Sequence, residues 1–307
     1  MNCSVVIPVY RGEQTIELLV NRLADVLPMV ADEFEVLLVN DGSPDHSWDV
    51  IESLSQQYSW ARGIQLMRNF GQENATLCGI REARCDVIVT MDDDLQHDPA
   101  DLPKLMAKLN EGYDVVYGVP RVRRQVWWKR VFSKIVKWAV SSVMGVSTIR
   151  DISAFKAFRA ELKQTFDAIN SPDVLIDVLL SWGATRFASV EIEEAPRTVG
   201  TSNYSFTKLI KVSFLILTNY TTFPLRVASI FGFLFTIIGF FVLLYVIGVY
   251  FTAGSIPGFT FLVSAVTIFS GVQLFALGII GEYLARMFER SSGRPPYVIR
   301  KVTGGSS

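Results

Sequence analysis

Histidine is almost missing from this chain of 307 residues: His46 and His97 are the only two, and there are three cysteines, Cys3, Cys78 and Cys85. Two imidazoles exclude a histidine-built zinc site or a histidine triad unless one of them serves. His97 stands near an acidic triplet and reads as an incidental loop residue. The thiols show no Cys-x-x-Cys spacing, so they read as core residues in a reducing compartment. Met1-Asn2-Cys3-Ser4-Val5-Val6 has no basic region and no small-residue cleavage site; no secretory signal is expected, and the bulk of the chain is expected in the cytosol. Charge is absent from two long runs, 25 residues from Val227 to Phe251 and 22 from Phe259 to Ile280. Each meets the roughly 20 residues that a bilayer span requires. The connector Thr252 to Gly258 is short and turn-forming, so the pair reads as a transmembrane hairpin rather than two buried helices. Arg226 precedes it, and Arg286, Arg290, Arg294, Arg300 and Lys301 follow. The positive-inside rule then places both chain ends in the cytoplasm.

Acids are missing from another stretch. Between Arg121 and Lys137 there are seven Lys or Arg and no Asp or Glu. Trp128, Val131, Phe132, Ile135, Val136 and Ala139 recur there at helical spacing, which predicts a basic amphipathic helix over about 121–144 with Trp127, Trp128 and Trp138 as interfacial anchors. A second interface helix with Lys208 and Lys211 is expected over 205–224, leading into the hairpin. The net charge of −1 conceals the asymmetry: residues 1–118 carry 20 acids against 8 bases, 119–220 carry 8 against 15, and the remainder 2 against 6. The first part is suited to holding a cation, the later parts to facing anions. With a hairpin fixing the chain at a bilayer, those anions are lipid headgroups or a lipid phosphate rather than nucleic acid.

What is present in the first 118 residues is a strand-and-helix alternation. Val5–Val9, Phe34–Val39, Gly63–Leu66, Val87–Met91 and Val115–Tyr117 read as short buried strands, with helices starting near Glu13, Pro44, Gln72 and Pro99. That rhythm predicts an α/β fold with a doubly wound, mostly parallel sheet. Loops at the carboxyl ends of its strands gather into one ligand crevice. Asp92, Asp93 and Asp94 stand at the end of the fourth run. So much negative charge at a buried strand tip is costly unless a cation shares the site, and a hard divalent ion with a diphosphate is the expected occupant.

Four motifs in order, Ser4-Val5-Val6-Ile7-Pro8-Val9-Tyr10, Val39-Asn40-Asp41-Gly42-Ser43-Pro44-Asp45, Arg68-Asn69-Phe70-Gly71-Gln72 and Asp92-Asp93-Asp94-Leu95-Gln96, resemble the family 2 glycosyltransferases of GT-A (Rossmann-like) fold. With the hairpin and Gly278-Ile279-Ile280-Gly281-Glu282-Tyr283, the chain is similar to the polyprenyl-phosphate branch, relatives of dolichyl-phosphate mannose synthase and of bacterial undecaprenyl-phosphate glycosyltransferases. The resemblance implies a cytosolic GT-A domain over 1–204, an interface helix over 205–224, two transmembrane helices within 225–284 and a cytosolic tail over 285–307. Asp92 and Asp94 inherit the family's metal and diphosphate role, with Mg²⁺ or Mn²⁺ as cofactor and Asp94 the more direct ligand; Asp93 is the variable middle position. Pro8, Tyr10, Glu13, Asp41 and Arg68 inherit nucleotide contacts, and Gln96 the donor sugar. Asp41 is open to a second reading as the first residue of a tight Asp-Gly turn. Asn40 departs from the family's usual Asp, and Arg11-Gly12-Glu13 from its usual Asn-Glu.

Asp151, in Arg150-Asp151-Ile152-Ser153-Ala154-Phe155, matches the family's catalytic aspartate. A phosphate monoester is mostly a dianion at neutral pH, its second pKa being about 6, so Asp151 either acts as base or only orients groups. Arg197 and Ser202, in Arg197-Thr198-Val199-Gly200-Thr201-Ser202-Asn203-Tyr204, together with Arg121 and Arg124, match the acceptor-phosphate site; Asn203 stands where lysine is common. Glu282 is expected to pair with Arg286. The implied reaction is inverting transfer of one sugar from a nucleotide-diphosphate donor, UDP-glucose or a related UDP-sugar, to polyprenyl phosphate, with undecaprenyl phosphate favoured. Its implied place is the cytoplasmic face of a bacterial inner membrane, and relatives imply a homo-oligomer such as a tetramer. The rival readings are a processive polysaccharide synthase, which the missing Arg-Trp pair disfavours, and a non-catalytic nucleotide-sugar sensor.

Overall fold

The computed structural model describes residues 1–120, 152–167, 171–172, 174–193, 223–253 and 258–304. The basic helix expected over 121–144 lies outside these residues, as does the expected interface helix up to residue 222. The chain divides into two units, Met1–Asn203 with Gly293–Ser307, and Tyr204–Ser292.

In the first unit the alternation is regular: β1 (Cys3–Val9), α1 (Ile16–Val30), β2 (Phe34–Asn40), α2 (Ser47–Gln57), β3 (Ala61–Leu66), α3 (Gln72–Glu82), β4 (Val87–Thr90), α4 (Leu102–Asn110) and β5 (Val115–Pro120). Then come β6 (Lys156–Arg159), the short α5 (Gln164–Asp167), α6 (Ile176–Gly183), β7 (Phe187–Ile192) and, beyond the second unit, β8 (Ile299–Thr303). One sheet of eight strands runs in the order β7-β5-β6-β4-β1-β2-β3-β8. The parallel pairs β1–β2, β1–β4 and β2–β3 form its centre, while β6 and β8 run antiparallel to their neighbours. Three strands, β6, β7 and β8, were not anticipated. The segment expected as a tail closes the sheet at the β3 edge, because Ile299 to Thr303 is a short β-former run that completes an otherwise open ladder.

Both faces of the centre are covered, which is why its strands read as continuous apolar runs. Successive residues serve opposite cores. Val5, Ile7 and Val9 pack with Leu19, Leu23 and Leu105, whereas Val6 packs with Leu77 and Ile80. Close approach sets one residue type: a Cβ on Gly79 of α3 would stand 2.3 Å from Val6 Cγ1.

A buried ion pair fastens the strands at the end away from the loops. Arg62 Nη1 donates to Glu35 Oε2 at 2.9 Å, and Glu35 Oε1 accepts from Ser4 Oγ at 2.7 Å and from Arg84 N at 2.6 Å. The Arg62 side chain is only 6% exposed.

In the second unit, α7 (Phe223–Ala253) and α8 (Phe259–Ser291) have 31 and 33 residues. Pro224–Val249 and Ile268–Ser291 are long and apolar enough to cross a membrane, with mean hydropathies of 2.7 and 1.6. Phe233, Phe241, Leu274 and Phe275 are exposed. Phe269 fits against Gly239, 3.6 Å from the position of an added Cβ, and meets Phe235 edge-on at 6.0 Å. Helix α8 continues beyond the expected end at Ile280, and the expected pair forms one turn later, Arg286 Nη2 to Glu282 Oε1 at 3.0 Å.

Replacing Arg62 with Met strands the Glu35 carboxylate in the interior and is expected to cost about 3–5 kcal/mol. The loss is read as a lowered denaturant midpoint for the first unit.

Candidate active site

Four loops leave the carboxyl ends of β1, β2, β3 and β4, and each is tied to the next by side-chain hydrogen bonds. The first loop turns sharply at Arg11, whose φ is +60°. That turn directs successive amides at the second loop: Arg11 N donates to Ser43 Oγ at 2.7 Å and Gly12 N to Ser47 Oγ at 3.0 Å. Glu13 answers in the other direction, its Oε2 accepting His46 N at 3.0 Å at the start of α2. Partial burial works against ionisation of Asp45, yet hydrogen bonds from Ser43 and Ser47 hold its carboxyl below the usual range. Asn40, the departure from the family motif, accepts Ser43 N at 2.9 Å and so closes the turn.

Asp41 ties the second loop to the third. It is 2% exposed, and its Oδ1 and Oδ2 accept Phe70 N at 2.7 Å and Gly71 N at 2.9 Å. Burial pushes its pKa up, and those two amides pull against it. The contact demands glycine next door: Gly42 has φ +60°, and a Cβ there would sit 2.4 Å from the Arg68 carbonyl carbon. Arg68 itself is exposed and lies over the Phe70 ring at 4.4 Å. In the structure, then, both carboxylate oxygens of Asp41 fasten the third loop.

The third loop reaches the fourth through Gln72, whose Nε2 donates to Asp92 Oδ1 at 2.6 Å. Asp93 completes the circuit by accepting Tyr10 N at 3.2 Å. Burial raises the Asp93 pKa to about 7; the Tyr10 amide opposes this, while the charges of Asp92 and Asp94 add to it. The variable middle position of the motif is therefore the carboxyl that joins the fourth loop to the first. Asp94 Oδ1 accepts Gln96 N at 3.1 Å around Leu95, which has φ +60°.

A small open pocket, lined in part by Asp92, lies between Pro8, Gln72, Glu73, Thr90, Lys156 and Ile176. Its lining includes a polar cluster around the buried Lys156 that sequence reasoning missed. Lys156 Nζ pairs with Asp177, which also accepts Tyr117 OH at 3.1 Å. Glu73 Oε2 accepts Ile176 N at 3.0 Å, and its burial raises its pKa, with Lys156 opposing. The available signal was a lone lysine between Phe155 and Phe158 in a buried strand. The candidate residues Pro8, Tyr10, Glu13, Asp41, Arg68, Asp92, Asp94 and Gln96 all fall on this edge of the sheet. Asp151, Arg121, Arg124, Arg197 and Ser202 lie outside the described residues. Close to the first of them in sequence, Ala154 O accepts Thr90 Oγ1 at 2.7 Å.

Among the described residues no three His, Cys, Asp or Glu converge as a metal cage. Asp92 and Asp94 provide carboxylate oxygens at the strand tip. That donor set fits a hard cation whose remaining positions are filled by phosphate oxygens and water.

Two outcomes check this geometry. A raised Glu73 pKa means that the neutral form is favoured in the fold, so its contribution is present below the unfolded pKa of about 4.3 and is lost as pH rises through the folded value. Glu73→Gln should therefore flatten the fall in thermal stability above that pH. Gly12→Ala places a methyl 2.6 Å from Asp93 Oδ2 and should weaken Mn²⁺ binding, followed by calorimetry, about tenfold or more through displacement of the triplet.

Comparison with known proteins gives the family. Residues 4–171 match the family described as glycosyl transferase family 2. Undecaprenyl-phosphate 4-deoxy-4-formamido-L-arabinose transferase of Proteus mirabilis is 34% identical over 98% of this chain and 94% of its own length. The enzyme of that name from an Enterobacter species is 32% identical over 99% and 94%. Among solved structures, a mycobacterial protein superposes with a TM-score of 0.50 at 17% identity, covering 70% of this chain and 74% of its own. The sheet order, the acidic triplet at the end of β4 and these matches agree: the chain is a GT-A-fold member of glycosyl transferase family 2.

Proposed function

We propose that this enzyme transfers a single sugar, with inversion, from a nucleotide-diphosphate sugar to undecaprenyl phosphate at the cytoplasmic face of a bacterial membrane. What carries the reading is the presence, in one chain, of Asp92 and Asp94 at the crevice edge and of two apolar helices of membrane length. Likeness to the undecaprenyl-phosphate transferases along nearly the whole chain supports it. Their names make a 4-deoxy-4-formamido pentose the first sugar to test, with glucose next.

On this reading Asp92 and Asp94 hold Mg²⁺ or Mn²⁺ together with the donor diphosphate. The bound ion would offset the negative charge that accumulates on the departing nucleoside diphosphate. Pro8, Tyr10, Glu13, Asp41 and Arg68 surround the nucleotide, and Gln96 faces the sugar. Arg121, Arg124, Arg197 and Ser202 grip the acceptor phosphate by charge-assisted hydrogen bonds. An oxygen of that phosphate attacks the anomeric carbon opposite the leaving group, which inverts the centre. Asp151 orients this oxygen; the dianion needs little deprotonation. Anchoring at the bilayer suits an acceptor whose apolar chain stays in the membrane. Two spans would return the chain to the side on which it began, which is compatible with the pairing of β8 to β3.

A panel of radiolabelled nucleotide sugars in membranes containing undecaprenyl phosphate tests the reading. One sugar per lipid is expected, with products longer than one sugar indicating a processive synthase and donor binding without turnover indicating a sensor. EDTA should abolish transfer and Mn²⁺ restore it. Asp94→Asn should lower the rate by about a hundredfold or more without moving the unfolding midpoint.

A further inference from the structure

The segment that follows α8 does more than close the sheet. Strand β8 pairs with β3 through Gly63↔Thr303, Ile64↔Val302, Gln65↔Lys301 and Leu66↔Ile299, with a register shift that leaves Arg300 as the extra residue. Beyond the ladder, Met67 N donates to Val298 O at 2.9 Å, and the guanidinium of the bulged Arg300 returns to Met67 O at 3.3 Å. Both backbone polar groups of Met67 are thus held by residues from the far end of the chain. Met67 precedes Arg68, and the next two links of the loop, Phe70 N and Gly71 N, are the groups that Asp41 binds.

The return segment is itself well fixed. Pro296 is buried, and Tyr297 packs on the core beneath α3 with Arg81 Cζ 5.8 Å from its ring centre. Farther along, Lys301 pairs with Glu52 and Thr303 Oγ1 lies 3.0 Å from Ser55 Oγ, both on α2. Only Ser292 to Pro296 separate Tyr297 from the end of α8.

We infer that Tyr297, Val298 and Arg300 are positioning residues for the donor site, setting the backbone of the Met67–Gly71 loop from the chain that returns from the apolar hairpin. The inference rests on the reading of Arg68 and its loop as nucleotide contacts. It explains why a bulge, which weakens a plain edge, is placed beside that loop: the extra residue frees the Arg300 side chain to reach the Met67 carbonyl.

The test uses the full chain in detergent, with UDP plus Mn²⁺ as probe and hydrogen exchange as a second readout. Arg300→Ala and Tyr297→Ala should speed amide exchange over residues 67–72 and weaken UDP about three- to tenfold, the size of one or two lost hydrogen bonds. Lys301→Ala, on the same strand but directed at α2, should leave both unchanged. Rescue by Arg300→Lys should be partial, since an ammonium donates to the same carbonyl. Exchange over 67–72 that stays at the wild-type rate in both variants, or that rises equally in Lys301→Ala, overturns the inference. Failure of the wild-type chain to bind UDP would instead count against the nucleotide reading, and the exchange comparison would still decide the role of the return segment.

Discussion

A closed circuit of backbone amides and side-chain acceptors holds the loop edge of the sheet. The first loop is bound to the second by Ser43 and Ser47, the second to the third by Asp41, the third to the fourth by Gln72, and the fourth back to the first by Asp93. Loops rarely bury their polar backbone without such partners, because an unsatisfied amide costs about as much as a lost hydrogen bond. Here the partners are largely acidic, so one set of side chains both orders the loops and concentrates negative charge at the strand tips. Raised pKa values at Asp41 and Asp93, each caused first by burial, are the electrostatic cost of that arrangement.

The circuit divides labour within the triplet. Asp93 is turned inward to the Tyr10 amide, and its neighbours Asp92 and Asp94 remain at the crevice edge. Each of the two is also oriented by the protein, Asp92 by Gln72 and Asp94 by the Gln96 amide. On the proposed reading, carboxylates preset in this way would lose little freedom on binding an ion and a diphosphate, which would favour one geometry. At the other end of the strands the Glu35–Arg62 pair is buried. The ion pair thus stands at one end of the sheet and the acidic triplet at the other.

Much of this was legible in the sequence. The five apolar runs gave their strands because both faces of the central sheet are buried, so that continuous apolarity and strand position coincide. The acidic triplet and the charge-free spans stood out for the same reason: each is a local pattern whose cost in water or in the interior can be judged without knowing its neighbours. Strands β6, β7 and β8 escaped because they carry polar residues at alternate or edge positions. Lys156 inside β6 makes sense only beside Asp177, and Arg300 inside β8 only beside Met67.

The circuit itself was hidden for a related physical reason. Tyr10 and Asp93 are 83 residues apart, Asp41 and Gly71 thirty, Gln72 and Asp92 twenty. A backbone amide carries no sequence signature, so a carboxylate that serves one looks identical to a carboxylate awaiting a ligand. Asp41 shows the consequence: its sequence context admits both a nucleotide contact and a turn, and its two acceptor bonds to the third loop are visible only in the structure. The glycines beside it were the better clue. Gly42 and Gly12 leave no room for a side chain because another loop passes within 2.6 Å of where a Cβ would be. Where a short acidic loop keeps glycine next to its acid, close backbone approach is the first explanation to try.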